Sequence, residues 1–340
     1  MANAPVQFGL ALPMVLANLG ARRTVAELTS EVLAAEASGF DLCLVPEHHG
    51  GPDTTLTDPM VTVAWLLART SRIKVGTGVL ILPLHSLPRL AEQACFLQHA
   101  SQGRLVIGIG AGYQPTDFAT FDVPLSSRRQ AMSDGIRALR EVWVSGELGG
   151  HPIRPLLDGA PAPPLYVGAW TAPGIDQAAV LADGWIADPI RSADDTAEAA
   201  ARYLRSTLAA GRTARILIMR EAWLADSDEQ ARATFGPIVE PIFRYYLREG
   251  AFARDHGLTE SDLTLDGALA DRVLCGSTAT MITSITTLMR RTRADTLILG
   301  VRHPRGPAHD DVLTAIERLG REVLPAVRAR LADPLGSAAR

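Results

Sequence analysis

The stretch Ile73–Tyr113, IKVGTGVLILPLHSLPRLAEQACFLQHASQGRLVIGIGAGY, constrains the fold more than any other part of this 340-residue chain. Two apolar runs, Ile73–Leu82 and Leu105–Ile109, flank a segment with helical spacing. Near-continuous Val, Ile and Leu is the pattern of a strand covered on both faces, as in a parallel sheet. Pro88–Ser101 opens with Pro in a first turn and repeats Leu90, Ala94, Leu97 and Ala100 at three- and four-residue intervals. The stretch therefore reads as strand, helix, strand with a right-handed crossover.

Its glycines alternate. Gly108, Gly110 and Gly112 share one face of the second strand, and Gly76 and Gly78 share one face of the first. Glycine in a strand marks close approach, either by a ligand or by another part of the chain. Two smooth strand faces side by side predict a flat-sided slot; tight packing at a barrel corner is the plainer alternative. The spacing is not a dinucleotide fingerprint, because it runs G-x-G-x-G and continues as Tyr113-Gln114-Pro115 rather than as a helix start.

Beyond this unit the same alternation repeats. Strands are expected at Val6–Pro13, Phe40–Val45, Pro164–Gly168, Gly184–Ala187, Arg215–Ala225 and Thr296–Val301. Helices are expected at Thr24–Ser38 (with Thr24 and Glu27 as a capping box), Pro59–Thr70, Arg128–Val144, Gly174–Ala182, Ser192–Ala210, Ser277–Arg291 and Asp310–Leu331. Glu147–Pro164 is rich in Gly and Pro and reads as an irregular excursion. Asp226–Gly267 is mostly helical in pattern but too long for a crossover, hence an insertion before the last β/α unit. Eight strands, each followed by helical sequence, predict an α/β fold of the (β/α)8 TIM-barrel type, one domain over 1–334 with a disordered tail at 335–340.

A barrel carries its chemistry at the C-terminal ends of its strands. Those ends supply Met14, Glu47-His48-His49, Tyr113, Trp170-Thr171, Asp188 and Arg302-His303. The set is apolar and aromatic with few carboxylates. Adjacent His48 and His49 point to opposite sides of an extended chain, so no metal site is expected. No G-x-S-x-G elbow and no strand-end carboxylate pair is present, which sets aside serine hydrolysis and glycoside cleavage. What remains is an apolar slot beside a histidine, suited to a planar cofactor that does its own chemistry. With a net charge of −4, nothing basic enough for nucleic-acid binding stands out, and no apolar run is long enough to span a membrane. The start of the chain lacks a signal-peptide pattern, and Cys43, Cys95 and Cys275 are far apart, so a reduced, cytoplasmic protein is expected.

The run PEHHGG…LTDPMVTVAWLLARTSRIKVGTGVLILPLHSLPRLAEQACFLQHASQGRLVIGIGAGY resembles the bacterial luciferase-like flavin monooxygenases. Weaker similarity continues through Phe118, Phe121, Arg128 and Trp143, then PLYVGAWT and ADGW, and returns in the last barrel unit up to REVLPAVR. The Asp226–Gly267 insertion lies outside it. The resemblance implies a TIM barrel and an oxidoreductase. It implies that His48 sits beside the flavin as base or hydrogen-bond donor, with His49 its neighbour. It implies a cis peptide at Gly78-Val79 backing the flavin ring, and a phosphate site at Arg128, Trp170, Thr171 and Gly174. Gly110 occupies the position of a reactive cysteine in luciferase, and Ala111 that of a phosphate-contacting arginine, so phosphate binding is left to Arg128, Thr171 and backbone.

On this resemblance the expected activity is a monooxygenase using O2 and reduced FMN, supplied by a separate flavin reductase, on an apolar or aromatic substrate. Gly110 is expected to face the ring, and Met14, Tyr113 and His303 to line the substrate pocket. An F420-dependent reductase or dehydrogenase is the alternative, although such relatives often carry Asp-His where this chain has Glu47-His48. A non-catalytic flavin-binding protein is the second alternative. A homodimer is expected through Pro59–Thr70 and Pro88–Ser101, using Met60, Trp65, Leu90 and Phe96.

Overall fold

The computed structural model describes residues 5–13, 16, 19–49, 58–250, 252 and 257–333. Met14 and the 335–340 tail lie outside these residues.

The eight expected strands form a closed parallel ring: β1 (Gln7–Ala11), β2 (Leu42–Val45), β3 (Lys74–Ile81), β4 (Leu105–Gly110), β7 (Leu165–Gly168), β8 (Gly184–Ala187), β9 (Ile216–Leu224) and β11 (Thr296–Gly300). β11 pairs with both β9 and β1 and completes the barrel. Three short strands lie outside it. β5 (Glu147–Leu148) and β6 (His151–Pro152) form a hairpin in the Gly/Pro-rich excursion, and β10 (Leu274–Gly276) extends the end of β9.

Strand alternation separates two apolar layers. Leu42, Leu44, Val106, Tyr166, Ile186, Leu217 and Ile298 fill the barrel interior. Cys43, Val45, Leu105, Ile107 and Ile109 face outward into the larger core between strands and helices. The helices are α1 (Ala21–Ala37), α2 (Pro59–Arg69), α3 (Leu87–Ala100), α4 (Pro115–Thr120), α5 (Arg128–Ser145), α6 (Ala172–Leu181), α7 (Ala193–Ala209), α8 (Asp228–Arg248), α9 (Thr278–Thr292), α10 (His309–Arg318) and α11 (Leu324–Ala332). Hydroxyl and carboxylate caps begin many of them: Asp58 accepts from the Val61 N–H, Ser192 from Asp195, Ser227 from Gln230 and Ser277 from Thr280.

Several expectations need correction. α1 starts three residues before Thr24, behind Gly20, and Thr24 lies buried inside the helix. Glu27 is no capping-box partner; it pairs with Arg23 and with buried Arg302. The Asp310–Leu331 helix is interrupted by a wider π turn at Leu319–Val323. A short helix, α4, does follow the glycine row, with Pro115 in its first turn. Among the described residues of the Asp226–Gly267 insertion, only α8 is a long helix.

Candidate active site

The glycine row of β4 faces the barrel interior, and protein fills most of the space it leaves. A Cβ on Gly76 would meet the Val106 carbonyl oxygen at 2.0 Å, and one on Gly108 the Thr77 carbonyl oxygen at 2.3 Å. A Cβ on Gly110 would meet Cγ2 of Val79 at 2.6 Å. Gly110 therefore backs Val79 and does not line the cavity, contrary to the slot expected for it. The glycines permit a bulge in β3: the ladder with β4 slips between Thr77 and Leu80, and the Gly78-Val79 peptide inside the slip is cis. Buried Thr77 accepts the Gly108 N–H and donates to the Gly108 carbonyl, satisfying backbone at the slip. The bulge turns Val79 into the barrel mouth.

That mouth opens into a cavity of about 1250 Å³ at the C-terminal ends of the strands. Pro13, Gly78, Val79, Ile81, Tyr113 and Ile186 belong to its wall, and Ile238, Pro241, Ile242, Tyr245 and Tyr246 reach it from α8. The insertion is thus part of the site. Tyr113 packs on Trp170 with ring centres 4.9 Å apart, and burial pushes its hydroxyl up to about 12.

His48 lines the cavity, and its Nδ1 lies 3.0 Å from Oδ2 of Asp117, a fully buried residue of α4. The other Asp117 oxygen accepts the His49 main-chain N–H at 2.7 Å. An acceptor-only carboxylate at Nδ1 selects the tautomer with the proton there, leaving Nε2 as an acceptor. His49 faces away from the cavity. It is buried, with its Nε2 2.7 Å from Glu47 and its ring edge-on to Phe121. The catalytic expectation for His49 is corrected accordingly, since neighbouring strand-end residues point to opposite sides and His48 has the inward one. Glu47 also accepts the Ile81 N–H and contacts His85 at 2.8 Å, so His85, which had no distinguishing sequence context, belongs to the network supporting this loop.

Across the mouth, Thr171 caps α6 by accepting the Gly174 N–H, and Thr171, Pro173 and Gly174 line the cavity. Trp170 lines it as well, its carbonyl held by Arg191 at 2.8 Å. Arg128 and Arg129 reach the same cavity, and an Arg128 N–H donates to the Leu125 carbonyl at 2.8 Å. At the start of ten-residue α6, Pro173 has no N–H and Thr171 takes that of Gly174, so the Ala172 N–H, the Thr171 hydroxyl and two guanidiniums are the donors that could hold an anion. Arg129 and Ser133 were missed in the sequence; their four-residue spacing on α5, which puts them on one face, was the available signal. His303 lines the cavity, buried against Phe235 and 3.1 Å from Glu221. Among the described residues no group of three His, Cys, Asp or Glu could hold a metal ion, and no helix is long and apolar enough to cross a membrane.

The profile of the luciferase-like monooxygenase family matches residues 6–295, running through the insertion. A 4-hydroxyprotoasukamycin monooxygenase of Streptomyces nodosus subsp. asukaensis is 30% identical over 109 residues, 32% of this chain and 29% of that protein. The alignments with the first curated relatives span about a third of those proteins' lengths. The FMN-bound oxygenating constituent of 3,6-diketocamphane monooxygenase from Pseudomonas putida superposes with a TM-score of 0.78 at 20% identity, covering 95% of this chain and 99% of that one. A coenzyme F420-dependent tetrahydromethanopterin reductase from Methanopyrus kandleri superposes with a TM-score of 0.70 at 18% identity, over 95% and 99% of the two chains. These structural likenesses establish the barrel.

Proposed function

The chain belongs to the luciferase-like monooxygenase family, and on that premise we propose that it uses reduced FMN and O2 to oxygenate an apolar or aromatic small molecule. One observation carries the reading: Val79, the Arg128–Thr171 anion set and a carboxylate-held His48 share a single large cavity. The residues present fit FMN. The apolar Val79 bulge offers a flat backing, and the donors at the α6 terminus suit a phosphate. When bound in reduced form, FMN supplies the electrons that activate O2.

The chain's own residues would do the rest. Arg128, Arg129, the Thr171 hydroxyl and the Ala172 N–H bind and orient the phosphate end. Val79, Tyr113, Trp170 and the α8 side chains exclude water. His48, with its Nδ1 proton held by Asp117, takes or returns a proton at Nε2. The chain carries no dinucleotide fingerprint, which supports a separate flavin reductase as the source of reduced FMN. A cytoplasmic homodimer completes the proposal. On the surface expected to pair, Met60 and Leu90 turn into the core, so Val61, Trp65 and Phe96 are the exposed apolar residues left to make the contact.

The likeness to an F420-dependent reductase keeps F420 as the second reading. Anaerobic titration with reduced FMN and reduced F420 tests both. Saturable binding of reduced FMN is expected; binding of F420 alone would replace the first reading with the second, and binding of neither would remove both.

A further inference from the structure

The cavity has a polar pole that the flavin reading leaves unused. Glu221 lies near the end of β9 on the inward face it shares with Leu217 and Met219, and His303 follows β11; both line the cavity. In the eight-strand ring, β9 is diametrically opposite β3, and β11 is opposite β4. The pair therefore faces Val79 and Tyr113 across the mouth, with the remaining space between.

The pole is built rather than incidental. A Cβ on Gly300 would lie 2.3 Å from the Glu221 carboxylate, so glycine there is what admits it. His303 is positioned independently of Glu221. Its N–H donates to the Gly306 carbonyl at 2.9 Å, its carbonyl accepts from Gly306 at 3.1 Å, and its ring packs on Phe235. Its Nε2 is 3.1 Å from Glu221 Oε2 yet buried without an aligned hydrogen bond. Buried polar atoms are nearly always satisfied, so this pair has capacity for a guest.

A hydroxyl can accept from the imidazole N–H and donate to the carboxylate at once. A carbonyl or ether can only accept, and a hydrocarbon does neither. We propose that Glu221 and His303 are specificity residues that bind a hydroxyl of the substrate, which is then a hydroxylated apolar or aromatic molecule. The proposal deepens the reading of this cavity as a substrate site.

The test is equilibrium binding of 2-naphthol and 2-methylnaphthalene, followed by fluorescence, to the full chain without flavin. 2-Naphthol is expected to bind at least about tenfold tighter, the scale of a hydrogen bond to a charged group. Glu221→Leu and His303→Leu are expected to bring the ratio near one. Glu221→Gln covers the case in which Glu221→Leu does not fold, and is expected to cut the ratio several-fold. Equal binding of the two probes, binding of neither, or a ratio that survives in the variants would overturn the proposal. A parallel anaerobic titration with reduced FMN separates the two readings. Hydroxyl preference without FMN binding would overturn only the cofactor assignment.

Discussion

Gly110 and Val79 compete for one volume: a Cβ on Gly110 would sit 2.6 Å from Val79 Cγ2, closer than real side chains approach. The row of glycines in β4 and the bulge in β3 are therefore two halves of one device that turns Val79 into the cavity. Gly110→Ala is expected to destabilise the protein by about 1–3 kcal/mol, the usual cost of overpacking. In a Gly110→Ala/Val79→Ala double variant most of that loss should return, because the shorter side chain vacates the contested space. Urea unfolding of the four proteins measures the coupling; additive losses would mean that the two residues do not share the volume.

The His48–Asp117 contact predicts a tautomer. With the Asp117 carboxyl oxygen 3.0 Å from Nδ1, the neutral His48 ring is expected to carry its proton on Nδ1. In Asp117→Asn, the side-chain oxygen can still accept the His49 N–H while the amide nitrogen donates to Nδ1, moving the imidazole proton to Nε2. Nitrogen-15 spectra of the histidine rings in both proteins should show the exchange. An Nε2–H tautomer in the unaltered protein would remove Asp117 as the positioning group.

The same contact sets an activity expectation under the proposed function. His48→Ala should retain reduced-FMN binding but lose product formation by roughly two to four orders of magnitude, the scale of a lost acid–base group. Product formed per reduced FMN consumed, with a substrate found through the hydroxyl preference, is the measurement. An unchanged yield would take His48 out of the chemistry.

Asp228 ties the start of α8 to that of α9, accepting the Ser277 N–H at 2.6 Å and the Thr280 hydroxyl at 2.8 Å. The Ser277 backbone bond, chiefly, holds its carboxyl below the ordinary value of 3.8. A depressed folded value means that the unfolded chain takes up the proton first as pH falls. The contribution is thus complete above about pH 3.8 and is lost as pH drops through the folded value. Asp228→Asn should be less stable than the unaltered protein at pH 6, with the difference shrinking below pH 3.8. Urea midpoints across that range would show it, and a constant difference would deny the linkage.

The sequence shows the barrel clearly because each strand is a contiguous apolar run and each helix repeats at its own period; neither needs a distant partner to be recognised. The site is only half legible. His48, Thr171 and Arg128 sit in local patterns, and the opposite facing of His48 and His49 follows from strand geometry alone. Asp117 does not show itself, since it lies 69 positions from His48 and looks like an ordinary first-turn aspartate. Gly110 was misread because alternation shows that a face is smooth without showing what presses against it. Glu221 hides inside the run Ile216–Leu224, where a carboxylate resembles an interruption of the core. The α8 wall escaped because an insertion's position over the barrel mouth is a tertiary fact.

Under the proposed function, the phosphate end would have two arginines rather than Arg128 alone, because Arg129 joins Arg128 at the cavity. Two guanidiniums beside a helix N-terminus would there act together with the helix dipole on one anion. A charge-assisted hydrogen bond contributes about 1.5–3 kcal/mol, equivalent to roughly ten- to a hundredfold in affinity. Arg128→Ala and Arg129→Ala are each expected to weaken reduced-FMN binding by about tenfold or more, and Thr171→Ala by less, since its hydroxyl is a single neutral donor. Reduced riboflavin, which lacks the phosphate, provides the control: its affinity should be unchanged in all three variants. Anaerobic fluorescence titration with both flavins reads the outcome. If the arginine variants weaken riboflavin and FMN alike, the guanidiniums act on the ring or on the fold, and the phosphate belongs elsewhere.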